Sequence, residues 1–303
     1  MHHSRLAERK LGQKSVVTKK VKNYVWLKIL LIITFILFLS GILFYIISPK
    51  NWDGKSKISI AVQNRGMDVT VEILDPTTSS ITKINIPAET EVQAANQLGT
   101  WKLGSITRLG KDKKLKGDFL KNTIIKSFNF PIDEWADANF FDSIFKSDSS
   151  FSLLDKIRIS LFTLGVNNSQ KTDIDLSQTN YLQRVQLTDG SLGWEISGDI
   201  PTNIESYFTD QNFADENLTI LLNNGSESNA ITNTLARTIQ TLGVNIASTQ
   251  NISASNSNCN ITGLNKIVVT KIAKIFSCST KISKPENNFD IQIDLGKIVK
   301  NRF

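Results

Sequence analysis

Residues 217–248 read NLTILLNNGSESNAITNTLARTIQTLGVNIAS, and this stretch decides the fold class of the chain that carries it. Asn217 to Leu222 is a short apolar run of strand length, and Asn223-Asn224-Gly225-Ser226 is turn chemistry. Ser228 stands where a helix N-cap is wanted. Ile231, Leu235, Ile239 and Leu242 then recur at helical spacing on one face. Gly243 follows, a residue that takes the left-handed conformation ending a helix, and Val244 to Ser248 reads as a second strand. Strand, helix and strand within about thirty residues predict a mixed α/β unit.

Outward from there, a second helix is expected over about Leu264 to Phe276. Phe289, Ile291, Ile293 and Leu295 alternate as a half-buried strand closing at Gly296. Gln250 to Asn258, rich in Asn and Ser, reads as a solvated loop. Toward the N-terminus, Ile58 to Val62, Asp68 to Leu74 and Ile81 to Ile86 are β-rich runs. The Asp75-Pro76-Thr77-Thr78 turn makes the last two a hairpin or part of a meander. Lys111 to Lys126 predicts one helix with Leu115, Phe119, Leu120 and Ile124 on its apolar side, ended by Pro131. Ser150 to Phe162 is ambiguous, and Leu182, Val185 and Leu187 hint at a strand.

Composition sets the outer limits. The 303 residues carry a net charge of +7, which invites a nucleic-acid reading until the charge is located. Residues 1–28 hold eight basic side chains against Glu8 alone, and the 27 basic residues beyond them are matched by 27 acidic ones. The excess therefore flanks the apolar run Tyr24 to Ser48, within which Ile29 to Ile47 is free of charge. That run is long enough to cross about 30 Å of hydrocarbon and too long for a cleaved signal, and the basic flank keeps the N-terminus cytoplasmic. The expected organisation is a cytoplasmic tail (1–23), a transmembrane helix (24–48), a short polar stalk from Asn51 to Lys57, and α+β or α/β extracytoplasmic domains at 49–212 and 213–303. The expected partner is the membrane, with no nucleic acid.

The only histidines, His2 and His3, lie in the tail, so the outer portion has no Ser-His-Asp or Cys-His nucleophile system and no histidine-ligated zinc. Cys259 and Cys278 flank the second helix of the last domain. On the oxidising side of a membrane a disulfide is the expected state, and free buried thiols are the alternative. The adjacent carboxylates Asp133 and Glu134 are expected on a solvated surface, since sequence neighbours usually point apart. Five Asn-x-Ser/Thr sequons, at Asn167, Asn217, Asn224, Asn251 and Asn260, arise easily in so Asn-rich a chain.

One resemblance joins these features. Asp68 to Pro76 followed by Ile84-Asn85-Ile86-Pro87-Ala88-Glu89-Thr90, with Trp101-Lys102-Leu103-Gly104 and Pro131 to Trp135 beyond, resembles the extracytoplasmic domain of the LytR-CpsA-Psr family. Leu218 to Val244, with Asn224-Gly225 at the turn and Leu242-Gly243-Val244 at the helix exit, resembles that family's C-terminal module. The resemblance implies a single-pass envelope protein that handles wall glycopolymer. It places Asp68 on a magnesium-ligand position; if the chain transfers a lipid-pyrophosphate-linked polymer, the candidate catalytic residues are Asp68, Arg65 and Lys102, with Arg108 from outside the aligned motifs. The family's second arginine falls on Ala88, its following aspartate on Glu89, and Arg65 is one residue out of register, so Arg108 or Arg158 would have to supply the missing cation. The expectation is a non-catalytic, cofactor-free protein binding wall glycopolymer or an envelope partner. The alternatives are a magnesium-dependent transferase and a structural scaffold.

Overall fold

The computed structural model of the chain describes residues 17–47, 51–64, 66–115, 117–137, 148–214 and 217–303. Helix α1 is Val17–Ile47. Within it Tyr24–Leu43 has a mean hydropathy of 2.5, no buried side chain, and the length and composition to cross a membrane. Lys28 lies one turn from Tyr24, its ammonium 5.1 Å from the ring centroid. Contacts group the chain into Met1–Pro49 and a second unit, Lys50–Phe303.

The second unit opens with the meander β1 (Ile58–Gln63), β2 (Val69–Asp75) and β3 (Ser80–Ile86), in which Ile58 pairs with Leu74 and Val69 with Ile86, all antiparallel. Asp75 sets the turn by accepting the Thr77 N–H at 2.9 Å. A small hairpin follows, β4 (Glu91–Gln93) and β5 (Thr100–Lys102), then helices α2 (Ile106–Asp112) and α3 (Asp118–Phe128). The single helix expected over 111–126 is thus two. Gly117, before α3, sits so close to the Trp135 indole that a Cβ there would be 2.0 Å from the ring, and the chain turns under that side chain instead of running on. β6 (Glu134–Ala136) joins β1 in parallel, α4 (Leu153–Gly165) carries a complete capping box from Ser152 and Asp155, and β7 (Lys171–Asp175) joins β3 in parallel. The first sheet therefore has the order β6-β1-β2-β3-β7.

The hairpin of β8 (Leu182–Gln186) and β9 (Leu192–Ile196) and the short helices α5 (Thr202–Phe208) and α6 (Gln211–Ala214) lead to the second sheet. Its elements are β10 (Thr219–Asn224), α7 (Asn229–Thr241), β11 (Asn245–Asn251), β12 (Cys259–Gly263), α8 (Lys266–Phe276), β13 (Ser279–Ile282), β14 (Ile291–Leu295) and α9 (Lys297–Arg302), and its strand order is β11-β10-β14-β12-β13. Ser228 caps α7 through the Ile231 N–H, and Gly243 exits it at φ +89°. The mixed α+β architecture expected from the sequence is present. β12, β13 and α9 were not expected, and β11 extends two residues into what the sequence offered as loop.

The two faces of the first sheet are covered differently. Val69, Val71, Ile73, Ile84 and Ile86 point into a large core that runs on through α3, α7 and α8 to Val299 and Phe303. Ile58, Ile60, Val62, Leu74 and Ile81 point the other way, into a smaller cluster with Trp52, Phe151 and Ile159. Trp52 corrects the expected polar stalk: it is 3 % exposed and meets Phe162 edge to face at 5.8 Å, because the apolar face of the sheet needs a cover on this side.

Candidate binding trough

Asp68 is exposed at the head of β2, where its Oδ1 accepts the Ala88 N–H at 2.8 Å. The Gly104 N–H donates to the Ala88 carbonyl at 2.9 Å, and a Cβ on Gly104 would stand 2.8 Å from that of Ala88. Gln63 closes the same rim by donating to the Gly104 carbonyl at 2.9 Å. The structure thus gathers Asp68, Ala88 and Gly104 through backbone bonds and side chains too small to do chemistry.

The other sequence candidates face elsewhere. The Lys102 ammonium turns to the β8–β9 turn, 2.7 Å from Asp189 and 2.7 Å from the Ser191 hydroxyl. The Lys102 bond, followed by the bonds that the Ser191 hydroxyl and N–H donate to the same carboxylate, holds the Asp189 carboxyl well below the usual carboxylate range. Arg108 is exposed on α2. Arg158 on α4 donates to the Trp52 carbonyl at 2.9 Å and to Asp155 at 3.3 Å, a structural brace. Arg65 lies outside the described residues. Among the described residues no three His, Cys, Asp or Glu side chains gather to hold a metal ion, and Asp68 has one oxygen bonded to backbone. Cys259 and Cys278 are disulfide-bonded, as the compartment argument expected.

The charged groups that do converge lie between the two sheets. Asp133, 1 % exposed, accepts from Lys271 at 2.7 Å, from the Ser59 N–H at 2.8 Å and from the Ser59 hydroxyl at 3.1 Å. Burial alone would raise its pKa, yet Lys271, Lys274 and the Ser59 bond outweigh burial and lower it. Glu134 pairs with Lys274 at 3.1 Å, and the Lys274 ammonium also donates to the Asn51 carbonyl. Lys121 is buried between the carbonyls of Asp133 and Lys274, both at 2.8 Å, and desolvation pulls its pKa down to about 8 against the pull of Glu134 and Asp133. Asp133 and Glu134 are therefore buried, contrary to the solvated surface expected of them. They do point apart, but each pairs with a lysine, the two lysines lying three residues apart on one face of α8. No sequence pattern links residue 133 with residues 271 and 274.

Lys57 continues this junction outward, donating to the carbonyls of Tyr207 at 3.0 Å and Thr209 at 2.6 Å and pairing with Asp75 at 3.1 Å. Two clefts share Lys57 and Thr77. One, of about 480 Å³, is lined by Thr77, Thr78, Ser80, Thr82, Ser206 and Thr209, with Ile73, Asp210, Gln211, the Lys57–Asp75 pair and the half-buried Tyr207. The other, of about 530 Å³, is lined by Lys55, Lys57, Lys266, Lys271 and Lys274 against Asp53 and Asp133, with Trp52, Ile58, Phe213 and Ile267 as its apolar wall. Such a trough offers hydroxyl, amide and carboxylate partners in one half and an excess of cations in the other. The sequence signal was present but scattered: the Thr77-Thr78-Ser79-Ser80 run and the Ser206-Tyr207 pair meet only in the fold.

No protein-family model and no curated protein matches the chain. Among solved structures it is similar to TagT of B. subtilis at 10 % identity, covering 49 % of this chain and 88 % of that one with a TM-score of 0.39. It is similar to B. subtilis TagV at 12 % identity, covering 50 % and 94 % with a TM-score of 0.37. The third is the Lin1025 protein of Listeria innocua, at 8 % identity, covering 47 % and 92 % with a TM-score of 0.36. TagT and TagV are LytR-CpsA-Psr proteins, and TagT has also been solved bound to LIIa-WTA.

Proposed function

We propose that the chain is a membrane-anchored, extracytoplasmic cell-envelope protein that binds wall glycopolymer without transforming it. Residues 213–303 serve in this reading as a module like the C-terminal one of the LytR-CpsA-Psr proteins. The observation that carries the binding role is the polar lining of the first groove. Six Ser and Thr residues, Gln211 and the paired Asp75 line it together with one aromatic residue, Tyr207, a composition that suits a polyhydroxylated chain better than an apolar or purely ionic ligand. The lysine-lined cleft beside it suits the phosphate or carboxylate groups of such a polymer.

The non-catalytic part of the reading is supported by the Asp68 rim. Its described members are an aspartate bonded to backbone, an alanine and a glycine, with Lys102 engaged by Asp189. Stabilising a pyrophosphate that develops charge takes preorganised cations, and losing one such donor costs about 10²–10³ in rate.

The test is titration of the full chain, in detergent micelles, with purified wall glycopolymer. Tyr207→Ala and Thr82→Val are expected to weaken binding about tenfold, near the 1.4 kcal/mol of one or two hydrogen bonds and a ring face. Binding that ignores both substitutions refutes the groove. Binding of a polyprenyl-pyrophosphate analogue with Mg²⁺ that Asp68→Ala abolishes would favour the transferase reading.

A further inference from the structure

Helix α4 is finished on one side only. Ile159 and Phe162 pack into the cluster beneath the first sheet, while Leu153, Ile157, Leu161 and Leu164 present 49, 38, 66 and 84 % of their surface to solvent. The spacing of four, four and three residues places all four on one stripe. A surface helix ordinarily puts charged and polar residues on its outer side, and single exposed leucines need no account. Four in register over three turns are a surface made to be covered.

The residues that anchor α4 indicate what covers it. Asp155, fully buried in its first turn, accepts the backbone N–H groups of Asn51 at 3.0 Å and Trp52 at 3.2 Å, and Arg158 donates to the Trp52 carbonyl at 2.9 Å. Asn51 and Trp52 are thereby clamped to α4. Only residues 48–50 stand in the chain between Asn51 and Ile47, the last residue of the apolar helix α1. A chain leaving a bilayer at the end of α1 thus has three residues before it is fastened to the helix that bears the stripe.

We propose that the outer face of α4 is an interfacial membrane contact: Leu153, Ile157, Leu161 and Leu164 enter the headgroup–acyl boundary of the bilayer that α1 crosses. The proposal rests on the reading of α1 as a membrane span. With α4 on the lipid, the second unit has an attachment to the bilayer besides its covalent link to α1.

The experiment uses the full chain reconstituted in phosphatidylcholine–phosphatidylglycerol vesicles, spin-labelled through one introduced cysteine at a time: Leu161→Cys on the stripe, Leu37→Cys in α1 and Lys284→Cys on an exposed loop. Collision rates with oxygen, which concentrates in lipid, and with a nickel chelate, which stays in water, are compared. The expected result is a severalfold higher oxygen-to-nickel ratio at 161 than at 284, together with a high ratio at 37. A ratio at 161 equal to that at 284, with 37 still buried in lipid, overturns the α4 contact and leaves the anchor standing. A water-like ratio at 37 overturns the anchor and the proposal with it. Strong spin–spin broadening between labels at 161 assigns the face to a second copy of the chain, and that also overturns the lipid contact.

Discussion

Lys271 and Asp133 meet at 2.7 Å with side chains 11 % and 1 % exposed, and through that contact α8 of the second sheet is fastened to the segment leading into β6 of the first. The Lys271 ammonium reaches further, to the Lys57 carbonyl at 2.7 Å, so one side chain joins the run before β1, the first sheet and the last ninety residues. Asp133, Lys271 and Lys274 of this junction line the lysine-rich cleft.

Removing one partner of a buried ion pair leaves the other charged without compensation. Lys271→Met is therefore expected to destabilise the chain by about 3–5 kcal/mol. Denaturant unfolding followed by tryptophan fluorescence measures it, and a change below about 1 kcal/mol, the worth of an exposed pair, contradicts the buried-pair account.

Glu72, 5 % exposed on the first sheet, has its pKa pushed up from 4.5 to about 7 by burial, against the partial pull of Lys83 at 3.2 Å. In that window the native state holds a proton that the unfolded chain has released. Stability therefore falls as pH rises from 4.5 to about 7, and the penalty is fully present above it. Glu72→Gln is expected to flatten this part of the stability–pH profile and to stabilise the protein above pH 7 by on the order of 2 kcal/mol. A profile unchanged by the substitution would remove Glu72 as its cause.

Gly117 lies under the Trp135 ring, with three ring carbons between 2.0 and 2.3 Å from where a Cβ would be. The backbone there is ordinary, φ −59°, so the effect of Gly117→Ala is steric. A cost of about 1–3 kcal/mol is expected as the indole is displaced, with a shift in tryptophan emission reporting the same movement. Equal stability and unchanged emission would mean that the ring yields freely.

How much of this was legible depended on whether the determining contacts were local. The meander β1–β3, the Ser228 cap, the Gly243 exit and the disulfide are set by residues close in sequence or by compartment, and periodicity and turn chemistry revealed them. The split of the helix at Gly117 depends on Trp135, eighteen residues away, and the burial of Asp133 and Glu134 depends on lysines about 140 residues away. The trough is more distant still in this sense, assembled from segments near 55, 78, 207 and 270 that share no motif. At Asp68, which motif resemblance picked out, the structure adds a bond that no motif shows: its Oδ1 accepts the Ala88 N–H. Asp68→Asn, which keeps an acceptor for that N–H, is accordingly expected to leave glycopolymer affinity unchanged in the titration that tests Tyr207.

The Cys259–Cys278 disulfide ties the first residue of β12 to the residue before β13, two strands that lie side by side in parallel and are joined through α8. The bond closes a loop of 19 residues around that helix. In the chain-entropy model this removes about 3 kcal/mol of freedom from the unfolded state. Cys259 is 2 % exposed and Arg302 reaches its sulfur at 3.6 Å, so reduction would also leave a thiol beside a guanidinium in the core. The Cys259→Ser, Cys278→Ser double variant is expected to lower the unfolding midpoint by an amount equivalent to about 2–4 kcal/mol, and to unfold alike under reducing and non-reducing conditions where the parent chain is expected to differ. Intact mass under non-reducing conditions gives the independent check: free thiols accessible to alkylation in the folded parent chain would overturn the assignment, whatever the stability of the variant.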